Sequence, residues 1–230
     1  MTKEKLIQLL IHEGYLKSSD IIQAFEKMER EYFVPAASKE YAYENRPLPL
    51  PCGKAVISQP LTVAFMLELL DPREGEKILE IGTGSGWQTA LLAYCVCPTR
   101  FKINEEEENK LNEKNVGQIL CGSVISIDRE TDCKKYAEAN LKKYEIENEK
   151  IIALLCRDGL RGYKKESPYD KIIASVAINK IPHEWKSSLK VGGRMVFPMR
   201  QSIYVIEKTG KNSFSEKSYF GFSFQKLISG

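Results

Sequence analysis

Lys77-Ile-Leu-Glu-Ile-Gly-Thr-Gly-Ser-Gly86 decides how this chain folds. Lys77 to Ile81 is a short, mostly apolar run preceded by the turn residues Asp71-Pro-Arg-Glu-Gly75, the pattern of a buried strand. Gly82, Gly84 and Gly86 then turn the backbone into a helical run from Trp87 to Tyr94. Glycines placed between a strand and a helix allow a tight turn and let a ligand lie against the N–H groups of the helix start. The same glycines also suit a turn with no ligand, and the neighbouring segments decide between the two.

Downstream, strands and helices alternate. Val124 to Asp128, Ile151 to Cys156, Tyr169 to Val176 and Arg194 to Pro198 read as strands, while Cys133 to Tyr144 and Ile181 to Leu189 read as helical crossovers. Gly192-Gly193 reads as a turn. This rhythm predicts a largely parallel sheet with helices on both faces. Past Ser202 the helical pattern stops, and Ile203 to Glu207 and Phe220 to Leu227 suggest antiparallel edge strands. Upstream, Lys3 to Gly14 carries Leu6, Leu9 and Leu10 on one face with Gly14 as its stop. A second amphipathic helix follows, with Ser18 and Ser19 as candidate N-caps. Arg46-Pro-Leu-Pro-Leu-Pro-Cys-Gly53 has three prolines in five residues and must be a loop, and Pro60 opens a helix reaching Leu70.

The 230 residues suffice for one substantial core, so one unit is expected over 1–230. Within it, 1–59 is a helical and loop elaboration, 60–200 an α/β core, and 201–230 a β elaboration. A polar surface insertion at about 98–122 holds Asn104-Glu-Glu-Glu-Glu-Asn-Lys-Leu-Asn-Glu-Lys-Asn-Val-Gly117 and has little to bury. Thirty-four Lys and Arg against 31 Asp and Glu leave a net charge of +3, no footprint for nucleic acid. The N-terminal residues interleave charge with apolar groups instead of forming a leader, and no run reaches the ~20 apolar residues a membrane span needs. Cys52, Cys95, Cys97, Cys121, Cys133 and Cys156 are scattered without CxxC pairs, and His12 and His183 are the only histidines. No metal site is expected, and the cysteines read as reduced thiols of a cytoplasmic protein.

Three strand ends carry ligand chemistry. A dinucleotide fingerprint reads GxGxxG, whereas this loop reads GxGxG after the acidic Glu80, the form of enzymes that use S-adenosyl-L-methionine (SAM). Asp128 ends the second strand, where a carboxylate accepts from ribose hydroxyls. It lies farther along than the usual ~20 residues, by the length of the insertion. Cys156-Arg-Asp-Gly159 ends the third, where a side-chain oxygen can meet an adenine amino group. Ser58, two residues before Pro60, is a helix N-cap or a site residue.

Tyr41-Ala-Tyr-Glu-Asn-Arg-Pro-Leu-Pro49, Ile57-Ser-Gln-Pro60 and Leu79-Glu-Ile-Gly-Thr-Gly-Ser-Gly86 with Gln88-Thr89 together resemble the protein-L-isoaspartate O-methyltransferase family. Glu31-Tyr-Phe-Val-Pro35, Pro168-Tyr-Asp-Lys-Ile-Ile173 and Gly192-Gly-Arg-Met-Val-Phe-Pro198 extend the resemblance along the chain. It implies a doubly wound, Rossmann-like class I SAM methyltransferase fold with N-terminal helices and a C-terminal antiparallel β region. The implied cofactor is SAM, with S-adenosyl-L-homocysteine as product. The implied partners are isoaspartyl-containing proteins or peptides, with neither nucleic acid nor membrane, and a monomer is the default. Ser58 is implied as the catalytic residue, beside the acceptor carboxylate. Ala55, Val56, Ile57 and Ser58 would line the donor site from upstream; Glu80, Gly82, Thr83, Gly84, Ser85, Gly86, Gln88 and Thr89 would form its cradle. Asp128 and Arg129 would hold the ribose end, Asp158 and Gly159 the adenine.

The acceptor wall departs from the family pattern. Ala55-Val56 stands where the family has Gln-Thr, and Ser175-Val176-Ala177 where it has Thr-Ala-Ala. Two other readings therefore stand: a related methyltransferase acting on a different carboxylate, and a non-catalytic SAM-binding interaction protein.

Overall fold

A computed structural model describes residues 1–101, 121–144 and 151–224. The polar run 104–117 and the end of the strand expected at Phe220 to Leu227 lie outside the described residues.

The sheet is built from β3 (Lys77–Ile81), β4 (Ser123–Asp128), β5 (Ile152–Cys156), β6 (Tyr169–Ala174), β7 (Leu189–Met199), β8 (Ser202–Lys208) and β9 (Phe214–Phe220). Their order is β5-β4-β3-β6-β7-β8-β9, with the first five strands parallel and the last two antiparallel. This is the expected doubly wound α/β fold with a C-terminal antiparallel region. Chain order reverses between β3 and β6, and at such a switch point ligands bind beyond the carboxyl ends of the strands.

Alternation along the parallel strands sends side chains to two cores. Ile78 and Val124 face a cluster built with α1 (Lys3–His12), α2 (Ser19–Lys27), α3 (Pro60–Leu70) and α4 (Trp87–Val96). Leu79, Ile81, Ile125 and Ile127 face a second cluster around the fully buried Trp185 of α6 (His183–Ser188). Helix α4 is buried on every side, because α2 packs over its outer surface. That explains its continuous apolar composition, and it is why the N-terminal elaboration is integral to the core. Between β4 and β5 runs α5 (Thr131–Leu141).

Three expectations are corrected. Gly192-Gly193 is not the turn expected ahead of the strand: both residues lie inside β7, at an irregularity where Tyr169 faces Leu189 but Lys171 faces Arg194. A Cβ on Gly193 would stand 2.8 Å from the Asp170 carbonyl oxygen, so glycine serves strand contact there. Among the described residues the last strand is Phe214–Phe220, which meets the run expected at Phe220 to Leu227 only at Phe220. Its central residues Ser215, Glu216, Lys217 and Ser218 are exposed, since an edge strand with little to cover needs no hydrophobic alternation. The cysteines are not all thiols either: Cys52 is bonded to Cys133 and Cys97 to Cys121, leaving Cys95 and Cys156 free. Partners 81 and 24 residues apart leave no local spacing signal. No helix among the described residues is long and apolar enough to cross a membrane.

Candidate active site

A cleft of about 1010 Å³ opens beyond the carboxyl ends of β3, β4, β5 and β6. That volume accommodates a nucleoside cofactor together with part of a second substrate. From the expected set, Gly82, Thr83, Gly84, Ser85 and Gln88 line it from the glycine loop, and Asp128, Arg129, Asp158 and Gly159 from the next two strand ends. Ala55, Val56, Ile57 and Ser58 close it from the upstream loop. Glu80, Gly86 and Thr89 lie behind that lining.

The glycine loop owes its path to backbone conformations that side chains disfavour. Gly82, Gly84 and Gly86 all have positive φ, and a Cβ on Gly86 would stand 3.2 Å from the Ala137 Cβ. Asp128 holds the loop in place: its Oδ2 accepts from the Gly84 N–H at 2.9 Å and its Oδ1 from the Glu130 N–H at 3.0 Å. Each carboxylate oxygen keeps a second lone pair for a ligand hydroxyl. Asp158 accepts from the Leu160 N–H at 3.0 Å and so caps the short turn Gly159–Arg161, while Gly159 abuts Ile81 so tightly that a Cβ would lie 2.5 Å from its Cγ2. Positive-φ glycines lying bare against a cleft, with a carboxylate at the second strand end, suit the methionine and ribose parts of SAM.

Beneath the loop lies a buried polar network. Gln88 Nε2 donates to Glu80 at 3.0 Å and to Ser175 Oγ at 2.9 Å, Thr89 donates to the other Glu80 oxygen, and the Thr83 and Ser126 hydroxyls are 2.6 Å apart. Burial pushes the Glu80 carboxyl up to about 7, hydrogen bonds from Thr89, Ser126 and Gln88 pull it back, and the Asp128 charge adds to the rise. A carboxyl with a raised pKa in the fold stabilises it fully below its ordinary value near 4.5, and that contribution is lost as the pH climbs through about 7. Glu80→Gln removes the titration. Its stability relative to the parent chain should rise between pH 5 and pH 8, by on the order of 2 kcal/mol. Urea denaturation at the two pH values measures this, and a difference independent of pH would refute it.

The upstream loop is a narrow hairpin, with β1 (Leu48–Pro49) paired to β2 (Val56–Ile57). Ser58 follows directly. It is not the cap of α3: Gln59 holds that position, and Asn45 Oδ1 accepts from the Leu61 N–H at 3.0 Å. Among the described residues the Ser58 hydroxyl has no protein partner, so it is available to a ligand in the cleft. Several lining residues escaped sequence reasoning, Trp87, Ser223 and Phe224 among them. Trp87, directly after Gly86, was legible from the loop motif; Ser223 and Phe224 reach the cleft only because the terminal hairpin returns them there. Val176 stands over the loop, its Cγ1 being 3.4 Å from where a Gly82 Cβ would be.

The protein-family model described as Protein-L-isoaspartate(D-aspartate) O-methyltransferase matches residues 1–229. A protein-L-isoaspartate O-methyltransferase of Methanopyrus kandleri is 34% identical over 230 residues, covering 98% of this chain and 91% of that protein. Its counterpart from Ignicoccus hospitalis is 37% identical over 212 residues, covering 90% and 88%. A solved protein-L-isoaspartate O-methyltransferase superposes with a TM-score of 0.80 at 26% identity, over 99% of this chain and 66% of that one. A Plasmodium falciparum structure containing S-adenosyl-L-homocysteine gives 0.78 at 20% identity over 99% of each chain, a likeness of fold. With a match of this extent, and with the glycine loop and the Ser58 loop meeting in one cleft, the chain belongs to the protein-L-isoaspartate(D-aspartate) O-methyltransferase family.

Proposed function

We propose that this chain methylates the free α-carboxylate of L-isoaspartyl residues, and of D-aspartyl residues, in damaged proteins and peptides. The observation that carries this is that Ser58, with its uncommitted hydroxyl, lines the same cleft as the glycine loop and Asp128. We read residues 1–230 as one unit, in which 60–200 binds the cofactor and 1–59 supplies the acceptor loop.

Gly82, Gly84 and Ser85 would hold the methionine part of SAM, Asp128 with Arg129 the ribose, and Asp158 with Gly159 the adenine. Bound there, SAM supplies an electrophilic methyl group on a sulfonium. An isoaspartyl α-carboxylate has a pKa of about 3.5 and is ionised at neutral pH, so the protein needs no general base. One acceptor oxygen forms the new C–O bond as the S–CH₃ bond breaks, and no proton moves. Sulfonium and carboxylate become thioether and ester, and the loss of both charges is favoured where apolar groups such as Ile57 and Val176 exclude water. The Ser58 hydroxyl donates to the other carboxylate oxygen and fixes the line of attack. The ester then closes to a succinimide without the enzyme, and reopening yields part of the product as normal aspartate.

Methyl-labelled SAM offered with matched isoaspartyl, aspartyl and D-aspartyl peptides tests this. Base-labile label on the isoaspartyl peptide is expected, and binding of SAM without transfer to any peptide would refute the proposal. Ser58→Ala should keep SAM affinity while kcat falls about 10- to 100-fold; an unchanged kcat would remove Ser58 from the mechanism. A second reading, a different acceptor carboxylate, draws on Val56 and Val176 in the cleft wall, and label confined to another acceptor would establish it.

In the cytoplasm, the compartment we propose, thiol reductants attack accessible disulfides. Cys52 and Cys133 are 2% and 1% exposed, which shields their bond.

A further inference from the structure

We infer that Arg30 is a positioning residue for methyl transfer: its guanidinium clamps both limbs of the acceptor loop and thereby sets where Ser58 stands relative to the methyl donor. The inference rests on the assignment of the loop around Ser58 to the acceptor.

Arg30 lies in the short turn Arg30–Phe33 after α2, far in sequence from the cofactor strands. It is 1% exposed, and among the described residues no carboxylate pairs with it. A fully buried guanidinium without an anion is uncommon, and its donors must be satisfied another way. Both terminal nitrogens go to backbone, while Nε has no hydrogen-bond partner among the described residues. Nη1 donates to the Ala42 carbonyl, and Nη2 donates to the Arg46 carbonyl at 3.2 Å and to the Ser58 carbonyl at 3.0 Å. Ala42 and Arg46 precede the β1–β2 hairpin and Ser58 follows it, so one side chain joins the two limbs of the loop. The guanidinium carbon also sits 5.1 Å from the centre of the Trp87 ring. Trp87 is the first residue of α4, directly after Gly86, and lines the cleft. Arg30 therefore touches the acceptor loop on one side and the start of the cofactor helix on the other.

The Cys52–Cys133 bond anchors the tip of this loop, and its two limbs need a clamp of their own. Its regular structure amounts to two paired strands of two residues each, and three of its residues are prolines, which donate no hydrogen bonds. Beyond Arg30, Asn45 ties it to the start of α3 through the Leu61 N–H and the Gln59 side chain. In-line transfer is steep in distance and angle, so a loop displaced by about 1 Å loses rate on the order of 100-fold while the cofactor site is untouched. Burial pulls the Arg30 pKa down to about 9, which still leaves it charged at neutral pH. Lysine is a point donor and cannot span three carbonyls as a planar fork does.

Arg30→Lys and Arg30→Ala test this, each scored as turnover per site competent to bind S-adenosyl-L-homocysteine. We expect Arg30→Lys to bind the homocysteine product within threefold of the parent, with kcat per competent site down by at least about 10-fold. Arg30→Ala should fall further and recover several-fold in millimolar methylguanidinium. If its cavity prevents folding, Arg30→Lys carries the test alone. Turnover per competent site within threefold of the parent would overturn the inference, and so would a loss fully explained by fewer competent sites, which is what a merely structural role predicts. Because Arg30 grips the Ser58 carbonyl, which Ser58→Ala retains, a slow Arg30→Lys beside a fully active Ser58→Ala supports the clamp and discards the hydroxyl. A parent chain that methylates no isoaspartyl peptide overturns both.

Discussion

Replacing Cys133 with serine is expected to lower the unfolding free energy by about 4 kcal/mol, because the bond it removes closes a loop of 81 residues. In the chain-entropy account, a cross-link stabilises by restricting the unfolded ensemble, and it does so more as the closed loop lengthens. The bond also has a local role. Cys52 sits at the tip of the hairpin that leads to Ser58, and Cys133 lies in the first turns of α5, just beyond the Asp128 end of β4. The linkage thus fastens the acceptor loop to the cofactor half of the cleft, and both cysteines line that cleft. Denaturant unfolding of Cys133→Ser measures the effect; a loss below about 1 kcal/mol would show that the unfolded chain gains little freedom. Thiol titration of the unfolded, unreduced chain gives an independent check: two reactive thiols, Cys95 and Cys156, are expected, and six would mean that neither bond exists.

Asp128→Ala is expected to weaken cofactor binding roughly 100- to 1000-fold, with little change in the global fold. The carboxylate has two tasks that fail together. In the proposed assignment it accepts from the ribose hydroxyls, while its bond to the Gly84 N–H holds the glycine loop in place. Charge-assisted hydrogen bonds are about twice as strong as neutral ones, and loss of two of them accounts for the range. Asp128→Asn keeps the shape and one carbonyl acceptor, so about a tenfold loss is expected there. Calorimetry with S-adenosyl-L-homocysteine reads both, and an alanine variant within threefold of the parent would place the ribose elsewhere.

What was legible in the residues followed from short range. The strand at Lys77–Ile81, the glycine turn and the helix after it are each specified within a few positions, and their alternation with later strands is enough to imply a parallel sheet. The carboxylates at successive strand ends were visible for the same reason, since the end of a strand is a local feature. The terminal strand was misplaced by the same logic. Phe214–Phe220 is an exposed edge, and where no face is buried the chain carries no alternation to read.

Ser58 shows where local reading stops. Its position before Pro60 left an N-cap role open, and only the fold showed that Asn45, 16 residues before Leu61, takes over the capping. Arg30 in its short turn gave no sign of reaching three carbonyls up to 28 residues away.

The sequence by itself therefore determined the sheet, the glycine turn between β3 and α4 and the family, because these rest on periodicity, on glycine conformations and on motifs a few residues long. The tertiary structure alone decided which cysteines are bonded, what caps α3, what clamps the acceptor loop and which residues of the terminal hairpin reach the cleft. Each of those depends on groups brought together only once the β-sheet has closed the distance between them, and no pattern within a short window of chain encodes such a meeting.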